Sequence, residues 1–324
     1  VTIVEKGVPL GEQFRDARGE RQDSIARVIV VGGGVFVLLL IVAILIFLFI
    51  KGWPAFTTAG WSFFTTKVWF PDATPPVFGV AALVFGTVIS SLVGVAIATV
   101  VAVGAALFVT EVAPPALGRP IGYVIDLLAA IPSVIFGLWA LVYLVPKMVP
   151  FEKWLNSVFG WFPLFANPGQ LYGRSIFAAS VVLAIMCLPI IAAVMREVFR
   201  QTPIAHREAA YALGATRWEM IRMAVFPYSR SGMVGAIILG LGRALGETIA
   251  VALVLAPSFV INWHILQPGN NTIAANIATK FGEAGSLGRD ALIASGLVLF
   301  AITLVVNMGA RLFVRAPSFG RGGG

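Results

Sequence analysis

The chain is 324 residues long, 59% hydrophobic and only 12% charged, with a mean hydropathy of +0.93. A soluble globular chain carries roughly twice that charged fraction, so composition excludes an ordinary water-soluble domain. The formal charge of +8 comes with no long Lys/Arg run interleaved with aromatics, which leaves nucleic-acid binding without support.

Residues 1–27 are polar and mixed in charge and read as a cytoplasmic tail. The uncharged apolar run at 28–50 is too long for a signal-peptide core and predicts a retained first transmembrane helix, followed by an external loop at 51–78. The run at 79–110 is uncharged and long enough to tilt or project beyond the bilayer. The run at 121–146 contains only Asp126, near its beginning, where an interfacial capping or loop-contact role fits better than proton carriage. Residues 175–195 are uncharged, 231–257 contain Arg243 and Glu247, and 291–310 are again uncharged. Backbone in lipid must satisfy its own hydrogen bonds, so each run predicts a helix, six in all. The glycine-rich tail at 316–324 predicts disorder.

Charge sets the orientation. With the N-terminus inside, the cytoplasmic segments hold 15 of the 23 Lys and Arg residues and the opposite loops 7, with Arg243 left in a span. That asymmetry puts both termini in the cytoplasm. Trp53, Trp61, Trp69, Trp154 and Trp161 fall outside the runs and suit an interfacial belt. Turn-forming Asn-Pro-Gly at 167–169 and Pro-Gly-Asn-Asn at 268–271 break the two larger later loops. Gly86, Ser90 and Gly94 recur every fourth residue, and Gly242 and Gly246 form a GxxxG, spacings that let helix backbones approach closely.

Several candidate sites carry little chemistry. Cys187 stands alone inside an apolar run and reads as a small packed residue. His206 and His264 fall on opposite predicted sides of the membrane and there is no HExxH, so no metal site is expected. Ser90, Ser91 and Ser133 lack a nearby base in sequence, which argues against an intramembrane hydrolase and leaves no catalytic residue to name.

The informative loop is 202–227. Thr202 and Pro203 make a helix start, a cap acceptor followed by a proline whose missing N–H costs nothing at the first position. The helix should run to about Leu213 and stop at Gly214. Thr216-Arg217-Trp218-Glu219 fits a capping box opening a second short helix that should end near Pro227. By its local physics alone, the product is either a surface-lying amphipathic loop or a docking elbow.

Arg243 and Glu247 lie four apart on one expected helix and so share a face. An isolated Arg at mid-membrane costs at least about 2.5–3.5 kcal/mol by insertion scales, so it should face protein or water, with Glu247 its nearest candidate partner. The pair is either a structural or gating ion pair or part of an anion pathway in which the guanidinium meets an oxyanion bidentately.

Glu208-Ala209-Ala210, three residues, Gly214, then twelve residues and Pro227 resemble the EAA loop of ABC-importer permeases in spacing, with Ala224 and Phe226 where that family usually has Ile and Leu. The stretch 242–251 (GRALGETIAV) is similar to the corresponding segment of phosphate-importer permeases, its final Ala-Val to the C-type subunit. So are 208–219 (EAAYALGATRWE), 130–137 (AIPSVIFG) and 272–284, within a resemblance covering about 61–315. The resemblance implies an all-α integral membrane protein with the type I (MetI-like) ABC importer permease fold, its domain spanning 79–315. It implies an ATPase contact through Glu208, Ala209 and Gly214, and phosphate passage near Arg243 and Glu247. The implied partners are a second, A-type permease, a dimeric ATPase that binds ATP and Mg, an external phosphate-binding protein, and membrane lipid.

The chain has no GxxxxGK[ST], hence no Walker A cradle of its own, and any ATP would be hydrolysed by another polypeptide. Rival readings are an ABC permease for sulfate, molybdate or phosphonate, and an ion-coupled secondary anion transporter. The latter would need intramembrane carboxylates, of which Glu247 is the strong one.

Overall fold

The computed structural model describes residues 17–167, 169–171 and 173–314. Of the expected tail at 1–27, residues 1–16 lie outside the described residues, as does the tail at 316–324, while 17–27 already belong to the first helix. The chain divides into two units, Val1–Ile50 and Lys51–Gly324, with the boundary inside helix α1 (Ala17–Ala59). That helix continues past the apolar run through Pro54 instead of ending at Ile50.

Within the second unit a short helix α2 (Ser62–Thr65) leads into a two-stranded antiparallel ribbon, β1 (Trp69–Phe70) and β2 (Val77–Phe78). Then come α3 (Ala81–Leu107), α4 (Pro115–Ala129), α5 (Ser133–Trp139), α6 (Val145–Phe159) and α7 (Ile176–Arg200). The remainder is α8 (Ile204–Ala212), α9 (Arg217–Met220), α10 (Phe226–Gly246), α11 (Ile249–Val254), α12 (Ile273–Lys280) and α13 (Ser286–Val314). Among the described residues six helical stretches are long and apolar enough to cross a bilayer, the expected number.

Their limits differ from the apolar runs where proline intervenes. Pro132 lacks an N–H and disfavours α geometry at Ile131. The helix therefore stops at Ala129, and the third span is Ser133–Phe159 instead of 121–146. Lys147, Lys153 and Trp154, which an end at 146 would leave in an outer loop, are on this helix. Three five-residue π-turns, Phe108–Val112, Ala140–Leu144 and Ile221–Val225, each end two residues before a proline: Pro114, Pro146 and Pro227. A wider turn relieves the clash a proline ring makes with the carbonyl one turn earlier. For that reason the chain runs from α9 through the π-turn into α10 as one span, Arg217–Gly246, and the expected stop near Pro227 does not occur.

Helix α7 is the most deeply buried span and packs against α3, α10 and α4. The small residues of α3 make this possible. A Cβ on Gly94 would meet the Leu183 Cβ and the Ser180 carbonyl, each at 2.9 Å. By contrast, a Cβ on Gly242 or Gly246 would meet nothing within 4 Å, so that GxxxG mediates no helix contact within this chain. Cys187 is buried in the α3–α7–α10 core, its thiol 3.4 Å from the Gly240 carbonyl, a packed residue as expected.

A second cluster lies around Phe63, Trp69 and Phe78 and the start of α13. Trp69 is 6% exposed there and belongs to this core instead of the aromatic belt, whereas Trp53, Trp61, Trp154 and Trp161 are exposed. Asp72, in the ribbon's turn, accepts the backbone N–H groups of Gly285 and Gly288, both at 3.0 Å, and so caps α13 from a distant segment.

Candidate functional site

At one end of the bundle α8 and α9 form the elbow. Helix α8 begins at Ile204, one residue later than expected, with Pro203 as its N-cap, while the Thr202 hydroxyl lies 3.4 Å from that of Ser229. Gly214 turns the chain at φ +81. Nothing lies within 4 Å of the Cβ it lacks, so glycine is required by the left-handed backbone and not by crowding. The Thr216–Glu219 capping box is present: the Glu219 carboxylate accepts the Thr216 N–H at 2.7 Å and the Glu219 N–H reaches the Thr216 hydroxyl at 3.4 Å.

Ala210, Met220 and Ile221 root the elbow in the core, while Glu208, Ala209 and Gly214 are exposed. Beside them Ile204, Leu213 and Trp218 also stand in solvent, at 70%, 81% and 60% exposure. Three large apolar side chains are thus held outward on a short, capped, core-anchored elbow and form an exposed apolar patch. Arg207 fixes its angle. Its guanidinium donates to the Phe199 carbonyl at 2.8 Å and lies 3.1 Å from the Glu111 carboxylate, whose side chain is 4% exposed. Sequence reasoning missed this pair, since 95 residues lie between its members.

The second region is the break after α10. The helix ends at Gly246, and Glu247 is extended at φ −68, ψ 129. The Thr248 hydroxyl donates to the Gly246 carbonyl at 3.0 Å, taking an acceptor the continuing helix would have used. The Glu247 carboxylate then turns forward to accept the Ala250 N–H at 3.4 Å at the start of α11, where an anion is favoured. The expected shared helical face is therefore lost, and no ion pair joins Arg243 to Glu247 among the described residues. Arg243 sits in the last turn of α10 with its Nε buried and without a hydrogen-bond partner. Backbone irregular at membrane depth is tolerated only inside protein or along a water-filled path, which constrains where this break and its cation can lie.

Other motif residues assemble around α11. It packs against α5 and α12. Gly137 of α5 meets it so closely that an added Cβ would lie 2.7 Å from the Ala250 Cα. Thus the stretches 130–137, 242–251 and 272–284, far apart in sequence, converge on one short helix. At its other end Arg174 donates to the carbonyls of Leu253, Val254 and Leu255 at 3.2, 3.2 and 2.7 Å, a cation capping a helix C-terminus. By sequence Arg174 is only one of the 7 bases in the outer loops. Nearby, Glu152, fully buried in α6, accepts the Ser175 hydroxyl at 2.6 Å. Asp126 makes an interhelical contact, accepting the Arg196 Nη2 at 2.8 and 3.0 Å.

The chain matches the family described as "binding-protein-dependent transport system inner membrane component" over residues 98–318. It belongs to that family and has six transmembrane helices in the type I ABC importer permease fold. Among characterised relatives it is 46% identical over 237 residues to the phosphate transport system permease protein PstC 2 of Mycobacterium tuberculosis, covering 72% of this chain and 73% of that one. To the phosphate transport system permease protein PstC of Xylella fastidiosa (strain 9a5c) it is 42% identical over 313 residues, covering 96% and 95%. Solved structures share the fold. A chain of the MetNI methionine ABC transporter aligns at a TM-score of 0.52 and 18% identity, covering 72% of this chain and 94% of that one. A chain of a bacterial ABC transporter for alginate import aligns at 0.51 and 17%, covering 91% and 98%.

Proposed function

We propose that this chain is the transmembrane permease subunit of an ATP-driven inorganic phosphate importer. It forms the translocation pathway with a second homologous permease and couples to a separate ATPase through the α8–α9 elbow. The carrying observation is the unpartnered Arg243 at a helix break, in a chain 42% identical along nearly its whole length to a phosphate transport permease. A guanidinium matches a tetrahedral oxyanion with paired donors. The break keeps Glu247 engaged with α11 instead of neutralising that charge.

The partners in this reading are the second permease, an ATPase dimer that supplies the ATP and Mg chemistry, and an external phosphate-binding protein. Both termini and the elbow are cytoplasmic, in keeping with the distribution of Lys and Arg. Docking uses the surface around Glu208, Ala209 and Gly214, where exposed apolar side chains flank a residue fixed in a left-handed turn. Tilting the rooted elbow would move α7 and α10 together, since both share its core cluster. That motion would open the break near Arg243 to one side and then the other.

The test is reconstitution of the complete assembly in proteoliposomes with its binding protein. ATP hydrolysis should rise with phosphate and stay basal with sulfate, molybdate or a phosphonate. Equal stimulation by sulfate would move the reading to another oxyanion. Uptake without the ATPase, driven by an ion gradient, would overturn it in favour of a secondary transporter.

A further inference from the structure

At the elbow end of the bundle, a cavity of about 450 Å³ opens between α4 and the last turns of α7, lined by Arg119, Gly122, Tyr123, Asp126, Arg196 and Arg200. The helical spacings explain why these residues meet. Arg119, Gly122, Tyr123 and Asp126 lie on one face of α4, and Arg196 and Arg200 are four apart on α7. Three guanidiniums thus face a single carboxylate. Asp126 is committed to the Nη2 of Arg196, whose Nη1 is buried without a partner. Neither Arg119 nor Arg200 makes an ion pair or side-chain hydrogen bond among the described residues.

The C-terminus of α7 accounts for two of these cations, since basic side chains are favoured there. It does not account for Arg119, which sits in the second turn of α4, near a helix N-terminus where a cation gains nothing. Three guanidiniums against one carboxylate leave the pocket net positive, a field that attracts an anion. The unused donors are planar forks, the geometry that grips a tetrahedral oxyanion, and the Tyr123 hydroxyl adds another.

We propose that this cavity binds a phosphoryl oxyanion, supplied either as inorganic phosphate or as the headgroup of an anionic lipid. The site is separate from the break at Arg243 and does not depend on which ion crosses there. Arg200 precedes the elbow by only a few residues, so an occupant ties α4 to the elbow's root and stiffens it.

The experiment uses the assembled complex in nanodiscs, without the external binding protein. One arm counts phosphatidylglycerol molecules retained per complex by native mass spectrometry. The other measures labelled inorganic phosphate bound in discs of phosphatidylcholine alone. Arg119→Gln/Arg200→Gln leaves the Arg196–Asp126 pair intact and should weaken binding at least tenfold in one arm, which identifies the source. Asp126→Asn removes the only carboxylate and should tighten binding severalfold in that same arm. Either result is accepted only at wild-type abundance of the complex. No binding in either arm for the wild type overturns the site. So does equal binding by wild type and the double variant, or unchanged or weaker binding by Asp126→Asn.

Discussion

Replacing Arg174 by Met keeps the aliphatic stem and deletes the donors that hold the C-terminus of α11. The bond to the Leu255 carbonyl is short, at 2.7 Å, and the other two are 3.2 Å. A charge-assisted bond contributes about 1.5 kcal/mol at the low end and a long, partly solvated one about 0.5. The three together amount to about 2.5 kcal/mol of local stability. At about 1.4 kcal/mol per tenfold, local opening of α11 should become on the order of 50-fold more frequent. The assay is hydrogen exchange, followed by mass spectrometry, on the amides of Ala252 and Leu255, which donate within this segment to Thr248 and Val251. Arg174→Lys, with a point charge and no fork, should fall between the two. Exchange within about threefold of wild type in Arg174→Met would refute the idea that this residue anchors the broken helix.

Gly214→Val should abolish co-purification of the ATPase while insertion persists, and Gly214→Asn should retain it, since Asn tolerates left-handed backbone; equal behaviour of the two would remove the turn from the coupling argument. Gly137→Leu should lower thermal stability by about 1–3 kcal/mol through overpacking against Ala250, and an unchanged melting midpoint in detergent would mean that α5 and α11 do not meet as described. Orientation is checked in a Cys187→Ala background: a cysteine at Leu213 should react with an impermeant maleimide only from the cytoplasm and one at Trp161 only from outside, both positions being well exposed. The reverse pattern would overturn the inside-positive assignment.

Hydrophobic runs announced the six spans because lipid leaves the backbone no alternative to a helix. They misplaced the third, because a run of apolar residues does not reveal that Pro132 divides it into a separate α4 and a long apolar α5–α6 stretch. The turn and helix starts of the elbow were legible almost to the residue, since a capping box and a glycine stop are local devices. Its expected end near Pro227 was not, because a π-turn carries the helix past that proline. The separation of Arg243 from Glu247 was not legible, because the i,i+4 rule assumes a continuous helix. A Gly-Glu-Thr sequence instead gave the backbone competing hydrogen bonds and ended it. Arg174, Glu111 and Arg207 act through partners distant in sequence, and a single chain carries no local signal for such pairs.

Phosphate contact at Arg243 is tested most directly by separating uptake from assembly. Labelled-phosphate uptake should be measured in cells lacking other phosphate importers, with membrane abundance of the assembled complex scored alongside. Arg243→Ala should assemble normally and accumulate no phosphate, and Arg243→Lys should assemble and transport at a clearly reduced rate because it keeps the charge and loses the bidentate fork. Near-normal uptake by Arg243→Ala at normal abundance would contradict the account and take this residue out of the pathway.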